Sequence, residues 1–90
     1  MDVFIADDTQ YATTFSDREF RRISVGMTES EVRSLLGDPF DRWAVDGDQT
    51  VTAWRWTRSP LDSHYKVRVV VFKDGRVFEQ RAAAISSNEV

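Results

Sequence analysis

The stretch from Thr28 to Pro39, TESEVRSLLGDP, spells out both ends of one helix and so dictates what the rest of the chain must supply. The Thr28 hydroxyl can accept from a first-turn N–H group, and Glu31, three residues on, can reach back to the Thr28 N–H, which completes a capping box. Val32, Leu35 and Leu36 follow at the i, i+3, i+4 spacing of one buried face, with Arg33 and Ser34 turned away. Gly37 can take a left-handed conformation that closes the helix, and Pro39 prevents its resumption. The spacing therefore predicts a helix over Glu29 to Leu36. Two turns of helix are not stable alone in water, so this element has to lie on something.

A second short helix is expected just before it, over Asp17 to Ile23. Ser16 is its cap and Glu19 its reciprocal partner, with acidic residues in the first turn and Arg21 and Arg22 in the last, as the helix dipole prefers. Phe20 and Ile23 share a face, and Phe15 can staple onto it. Val25 and Gly26 break this helix before Thr28 starts the next, and Met27 reads as core.

The surface that receives the helices lies in the aromatic and β-branched second half. Phe40 to Gln49 reads as a loop anchored by Phe40 and Trp43, with a turn at Asp46-Gly47. Strands are expected over Thr50 to Thr57, His64 to Lys73 and Arg76 to Arg81. A turn containing Pro60, within Arg58 to Ser63, joins the first two, and Asp74-Gly75, a strong hairpin signal, joins the last two. Residues 1 to 16 read as an extended arm, 17 to 81 as the domain and 82 to 90 as a tail. The expected fold class is α+β: two short N-terminal helices packed on one face of a three-stranded antiparallel sheet, in two layers.

The hairpin sets the faces. With Asp74-Gly75 as the turn, Lys73 pairs with Arg76, Phe72 with Val77 and Val71 with Phe78. Phe72, Val70 and Val77 then share one face with Trp54 and Trp56, beneath the helices. Val51, Ala53, Arg55, Tyr65, Val67, Val69, Val71 and Phe78 look the other way, and an apolar surface of that extent marks an interaction site. A second expectation competes for it: the arm, Val3 to Ile5 with Tyr11, folds over this face within the same chain. Arg55 and Arg68 are expected at the rim.

Composition narrows the function. Ninety residues fit one domain, 41% of them hydrophobic, with three Trp and six Phe to build its core. A formal net charge of −3 offers no basic field for a phosphate backbone, which disfavours nucleic acid. With zero cysteines there is no disulfide, thiolate zinc site or cysteine nucleophile. The longest early apolar run, Val3 to Ala6, is too short for a signal-peptide core or a membrane span. His64 is the only histidine and has no second imidazole or thiolate with which to share a metal or activate Ser63. Asp46-Gly47-Asp48 hints at calcium, but an EF-hand needs Gly and Glu where this chain has Val51 and Thr57. Asp7 with Asp8, or Glu29 with Glu31, can be imagined as acid and base, yet carboxylates at helix starts serve stability alone. Trp54 with Trp56 can be imagined as a stacking platform, and core is the plainer role. No catalytic residue, cofactor or metal site is expected.

Taken together, Ile23-Ser24-Val25-Gly26-Met27-Thr28, Glu31-Val32, Leu35-Leu36-Gly37-Asp38-Pro39, Trp54-Arg55-Trp56, Val70-Val71-Phe72 and Gly75-Arg76-Val77 resemble the SmpA/OmlA (BamE-like) family of outer-membrane assembly lipoproteins. The match runs from about Phe20 to Arg81. It implies two helices on one face of a three-stranded sheet, a fold also met in β-lactamase inhibitor proteins. It also implies a non-catalytic binding or scaffolding role in the bacterial envelope, at the periplasmic face of the outer membrane, with a protein partner such as an envelope assembly component. The apolar strands themselves, apart from the resemblance, lead to the expectation of a homodimer. Family members begin with a lipid-modified cysteine. This chain has none, so membrane attachment is expected only indirectly, through a lipid anchor upstream, and a cytoplasmic location stays open. The alternative function is an inhibitor-like or regulatory module that fills an enzyme cleft with the loops Asp41 to Gln49 and Arg58 to Ser63.

Overall fold

The computed structural model describes residues 9–45, 47–59 and 65–85. In chain order the elements are β1 (Gln10–Tyr11), α1 (Asp17–Phe20), α2 (Glu29–Leu36), β2 (Asp41–Val45), β3 (Asp48–Arg55), β4 (Thr57–Arg58), β5 (Tyr65–Lys73) and β6 (Arg76–Ile85).

Helix α2 forms as its sequence demands. Glu31 N–H donates to Thr28 Oγ1 at 3.2 Å and Thr28 N–H donates to Glu31 Oε1 at 2.9 Å, so both halves of the capping box are made. Val32 and Leu36 are fully buried, each contributing about 1.5–3 kcal/mol by leaving water. Gly37 ends the helix at φ 77°, ψ −168°, beyond the ordinary left-handed well and in a region essentially confined to glycine. Helix α1 is shorter than expected. It stops at Phe20, and Arg21 and Arg22 form a turn. Its capping box is only half made: Ser16 accepts from the Glu19 N–H, but the Glu19 carboxylate turns to Arg22 at 2.9 Å.

The expected three-stranded sheet is wrong. The main sheet has four strands in the order β2-β3-β5-β6, and a separate two-stranded sheet pairs β1 with β4. Two departures produce this. Asp41 to Val45, expected as loop, is a strand antiparallel to β3, with Trp43 opposite Ala53 and Asp41 opposite Arg55. The expected strand Thr50 to Thr57 breaks at Trp56: β3 stays in the main sheet, while Thr57 and Arg58 bend away to pair with Tyr11 and Gln10. Strand β6 also runs on to Ile85, into the expected tail, with Ala83 opposite Val67.

The Asp74-Gly75 hairpin closes as predicted, with both turn residues at positive φ (52° and 80°), the signature of a type I′ turn. Lys73 pairs with Arg76 and Phe72 with Val77. The expected pairing of Val71 with Phe78 fails, because a β-bulge places Glu79 opposite Val71 and leaves Phe78 as the extra residue. Beyond the bulge the faces resume their alternation.

One core forms on the helix side. Phe20, Ile23, Val32 and Leu36 from the helical half meet Trp54, Trp56, Val70, Phe72 and Val77 from the sheet, and Phe15, Met27, Leu35 and Phe40 pack around them. The described part of the arm belongs to this side too. Ala12 is buried in the same cluster, its N–H donates to the Trp56 carbonyl at 2.9 Å, and Tyr11 stacks on Phe15 with centroids 5.6 Å apart. Thr14 Oγ1 donates to the Leu36 carbonyl at 3.1 Å, and Trp56 Nε1–H donates to the Gly37 carbonyl at 3.0 Å. Arm, helix end and central tryptophan are thereby fastened at one point.

Candidate functional site

The reverse of the four-stranded sheet carries a second, smaller apolar cluster. Strand alternation sends Ala53 of β3 and Val69 and Val71 of β5 to this side, where they are 2%, 8% and 6% exposed, with Val45, Val51 and Val67 half-buried around them. Larger residues stand at the margins. Trp43 of β2 is 44% exposed and Phe78, projected by the bulge in β6, is 54% exposed. Between these two rings runs a groove of about 420 Å³, floored by the valines and Ala53 and bordered by Lys73, Glu79 and Arg81.

Of the residues expected on this face, Val51, Ala53, Val67, Val69, Val71 and Phe78 come together as the groove. Tyr65 is buried at the start of β5, outside the groove lining. Arg55 does not act as a free rim contact: its Nε and Nη2 both donate to Asp41 Oδ2, at 3.0 and 2.6 Å, which clips β2 to β3. Arg68 lies on the helix side, where Nε donates to Asp17 Oδ1 at 2.7 Å and Nη1 to the Val67 carbonyl at 2.9 Å. That pair borders a cavity of about 300 Å³ with Phe20, Arg21, Gln80 and Ala82. It ties α1 to β5, and among the described residues no Ser, Thr, Cys or His lines the cavity.

Trp43 and Val45 were missed because they sit in a segment that reads as loop. The usable signal was the alternation Arg42-Trp43-Ala44-Val45, in which Trp43 and Val45 must share a side once the segment is extended. Lys73, Glu79 and Arg81 were missed because attention to apolar residues overlooks the polar border of a face. The expected cover by the arm divides in two. Tyr11 is on the helix side, against Phe15, and does not lie over the groove; Val3 to Ile5 lie outside the described residues. So do Asp7, Asp8, Asp46, Pro60 to Ser63 and His64, whereas Arg58, expected to open the Pro60 turn, is paired strand in β4.

Trp54 and Trp56 offer no stacking platform, being 3% and 0% exposed. Trp54 packs on Phe72 at 4.6 Å and takes the guanidiniums of Arg33 and Arg42 over its ring at 5.2 and 5.1 Å. Among the described residues there is no group of three or more His, Cys, Asp or Glu that could hold a metal, and no helix long and apolar enough to cross a membrane. The loop Asp41 to Gln49, one of the two an inhibitor-like module would insert, is largely paired strand. No family model, curated protein or solved structure matches the chain.

Proposed function

We propose that this protein is a non-catalytic protein-interaction module that engages its partner through the open face of the four-stranded sheet. The observation that carries the proposal is the groove itself: two large rings, Trp43 and Phe78, left about half exposed on either side of an aliphatic floor. Leaving such residues wet on a small domain is unfavourable, and contiguous apolar surface of this kind characterises contact sites. Aromatic anchors at the border of a small-residue floor also match the composition of interface centres. The resemblance of its motifs to the SmpA/OmlA family supports a role in assembly or maintenance of a bacterial outer membrane, with an envelope protein as partner.

A photo-activatable benzoylphenylalanine at position 78, compared with one at exposed Ser34 on the helix side, tests this in cells. Protein adducts from position 78 that are absent from position 34 support the reading. Absence of adducts at 78, or the same adducts from both positions, overturns it.

A further inference from the structure

We infer that the occupant of the open sheet face is a second copy of this chain, docked face to face about a two-fold axis that runs along the strands between β3 and β5. This deepens the proposed function and rests on its reading of that face as a contact surface. The register of the sheet makes the face self-complementary. A rotation about such an axis preserves position along the strands and exchanges the two sides of the sheet, so β2 of one copy lies over β6 of the other and β3 over β5.

Trp43 and Ala53 are partners across β2 and β3, Ala53 and Val71 across β3 and β5, and Val71 and Glu79, next to the bulged Phe78, across β5 and β6. All of them occupy one row of the face. The rotation therefore sets Trp43 against the second copy's Phe78, and Ala53 against its Val71. Each protruding ring meets the other kind of ring, and the shallow centres meet each other. The next row runs Asp41, Arg55, Val69, Arg81. Here the operation sets Asp41 opposite the second copy's Arg81, so unlike charges meet at both margins of the interface. Asp41 and Arg81 are 44% and 66% exposed in their existing pairs with Arg55 and Glu79, which leaves both accessible to a further partner. A two-fold axis across the strands would instead oppose Trp43 to Trp43 and Phe78 to Phe78, with no match between opposite charges.

The size of the face sets the strength. Four strands about 4.8 Å apart and roughly five residues deep form a patch about 19 by 17 Å. Two such patches hide on the order of 650 Å², below the range of stable complexes, so a weak, transient dimer is expected, with dissociation on the order of 100 µM. Stacked sheets lie about 10 Å apart, which leaves room for the rings to interdigitate.

The test is sedimentation equilibrium of the full chain from about 10 to about 500 µM, a range that brackets a small interface, together with benzoylphenylalanine cross-linking at position 78 and peptide mapping. Expected are a concentration-dependent dimer, at least a tenfold weakening in Phe78→Asp with an unchanged circular dichroism spectrum, and cross-links from position 78 to the Asp41–Val45 segment of the second copy. Trp43→Ser carries the same comparison if Phe78→Asp does not fold. A monomer throughout, a dimer indifferent to both substitutions, or cross-links to β6 of the second copy would overturn the arrangement. Position-78 adducts confined to a different protein would remove the second copy while leaving the face a contact surface. No adducts at all would remove both.

Discussion

The two faces of the central sheet are made by the same strands, residue by residue in alternation, yet they bury their side chains by opposite means. On the helix side the largest residues are the most hidden: Trp56, Phe72, Leu36, Val32 and Val70 are all at 1% exposure or less, because arm, helices and sheet close over them. Within the groove on the reverse the most hidden residues are small, Ala53 and Val71, shielded by their neighbours within one layer, while the rings that border it, Trp43 and Phe78, stand out. A covered face derives its stability from the bulk it encloses. A face that no described element covers derives little from its bulk, and under the proposed function its rings serve a contact with another molecule.

The sharpest way to break this contrast is to truncate a ring on each face. Trp56→Ala should cost about 3–5 kcal/mol in urea unfolding, since it empties the centre of the core and leaves the Gly37 carbonyl without its donor. Phe78→Ala should stay within about 0.5 kcal/mol when measured below the concentration at which copies associate. Comparable losses at the two positions would abolish the distinction between the faces.

A smaller effect probes the point where arm and helix are joined. In Gly37→Ala the new Cβ would lie 1.6 Å from Thr14 Oγ1, on a backbone with φ near +77°. We expect a loss of about 2–3 kcal/mol in thermal melts, from clash and backbone strain together. In a Thr14→Ala background the same change should cost visibly less, because the hydroxyl in the way is gone while the strain remains. Equal costs in the two backgrounds would mean that the arm does not press on this glycine. The smallest effect is at the helix start. Thr28→Ala should cost about 1 kcal/mol in urea unfolding and leave association through the open face unchanged, because Thr28 and Glu31, although Thr28 bridges to Arg76 at the edge of β6, do not line the groove.

Which parts of this architecture could be read from the chain follows from how local each signal is. The capping box at Thr28 and Glu31 and the turn at Asp74-Gly75 are decided within a few residues, and both form as written. The sorting of Trp54, Trp56, Val70, Phe72 and Val77 from Ala53, Val69 and Val71 needs only strand alternation, and it too is observed. Strand β2 was illegible because five residues with charge at two of them form a strand only when β3 is there to bond them, and Asp41 joins that pair through Arg55. The break at Trp56 was equally illegible. Thr50 to Thr57 is uniformly strand-like, and it divides because Tyr11 and Ala12, more than forty positions earlier, claim the backbone of its far end.

For the candidate site, the aliphatic floor was visible in the sequence and its borders were not. Trp43 enters through the unexpected strand. Phe78 keeps its side of the sheet but shifts its register, because a bulge is an agreement between two strands and has no composition of its own.

The sequence by itself determined the capped helix, the type I′ hairpin and the division of residues between two faces, since each depends on dihedral preferences or periodicity within a short window. Only the tertiary structure decided that the sheet has four strands, that the described arm packs on the helix side, and that one face keeps its rings exposed. Those outcomes depend on which distant backbone groups satisfy one another, and in a folded chain that is settled by competition among all available partners at once.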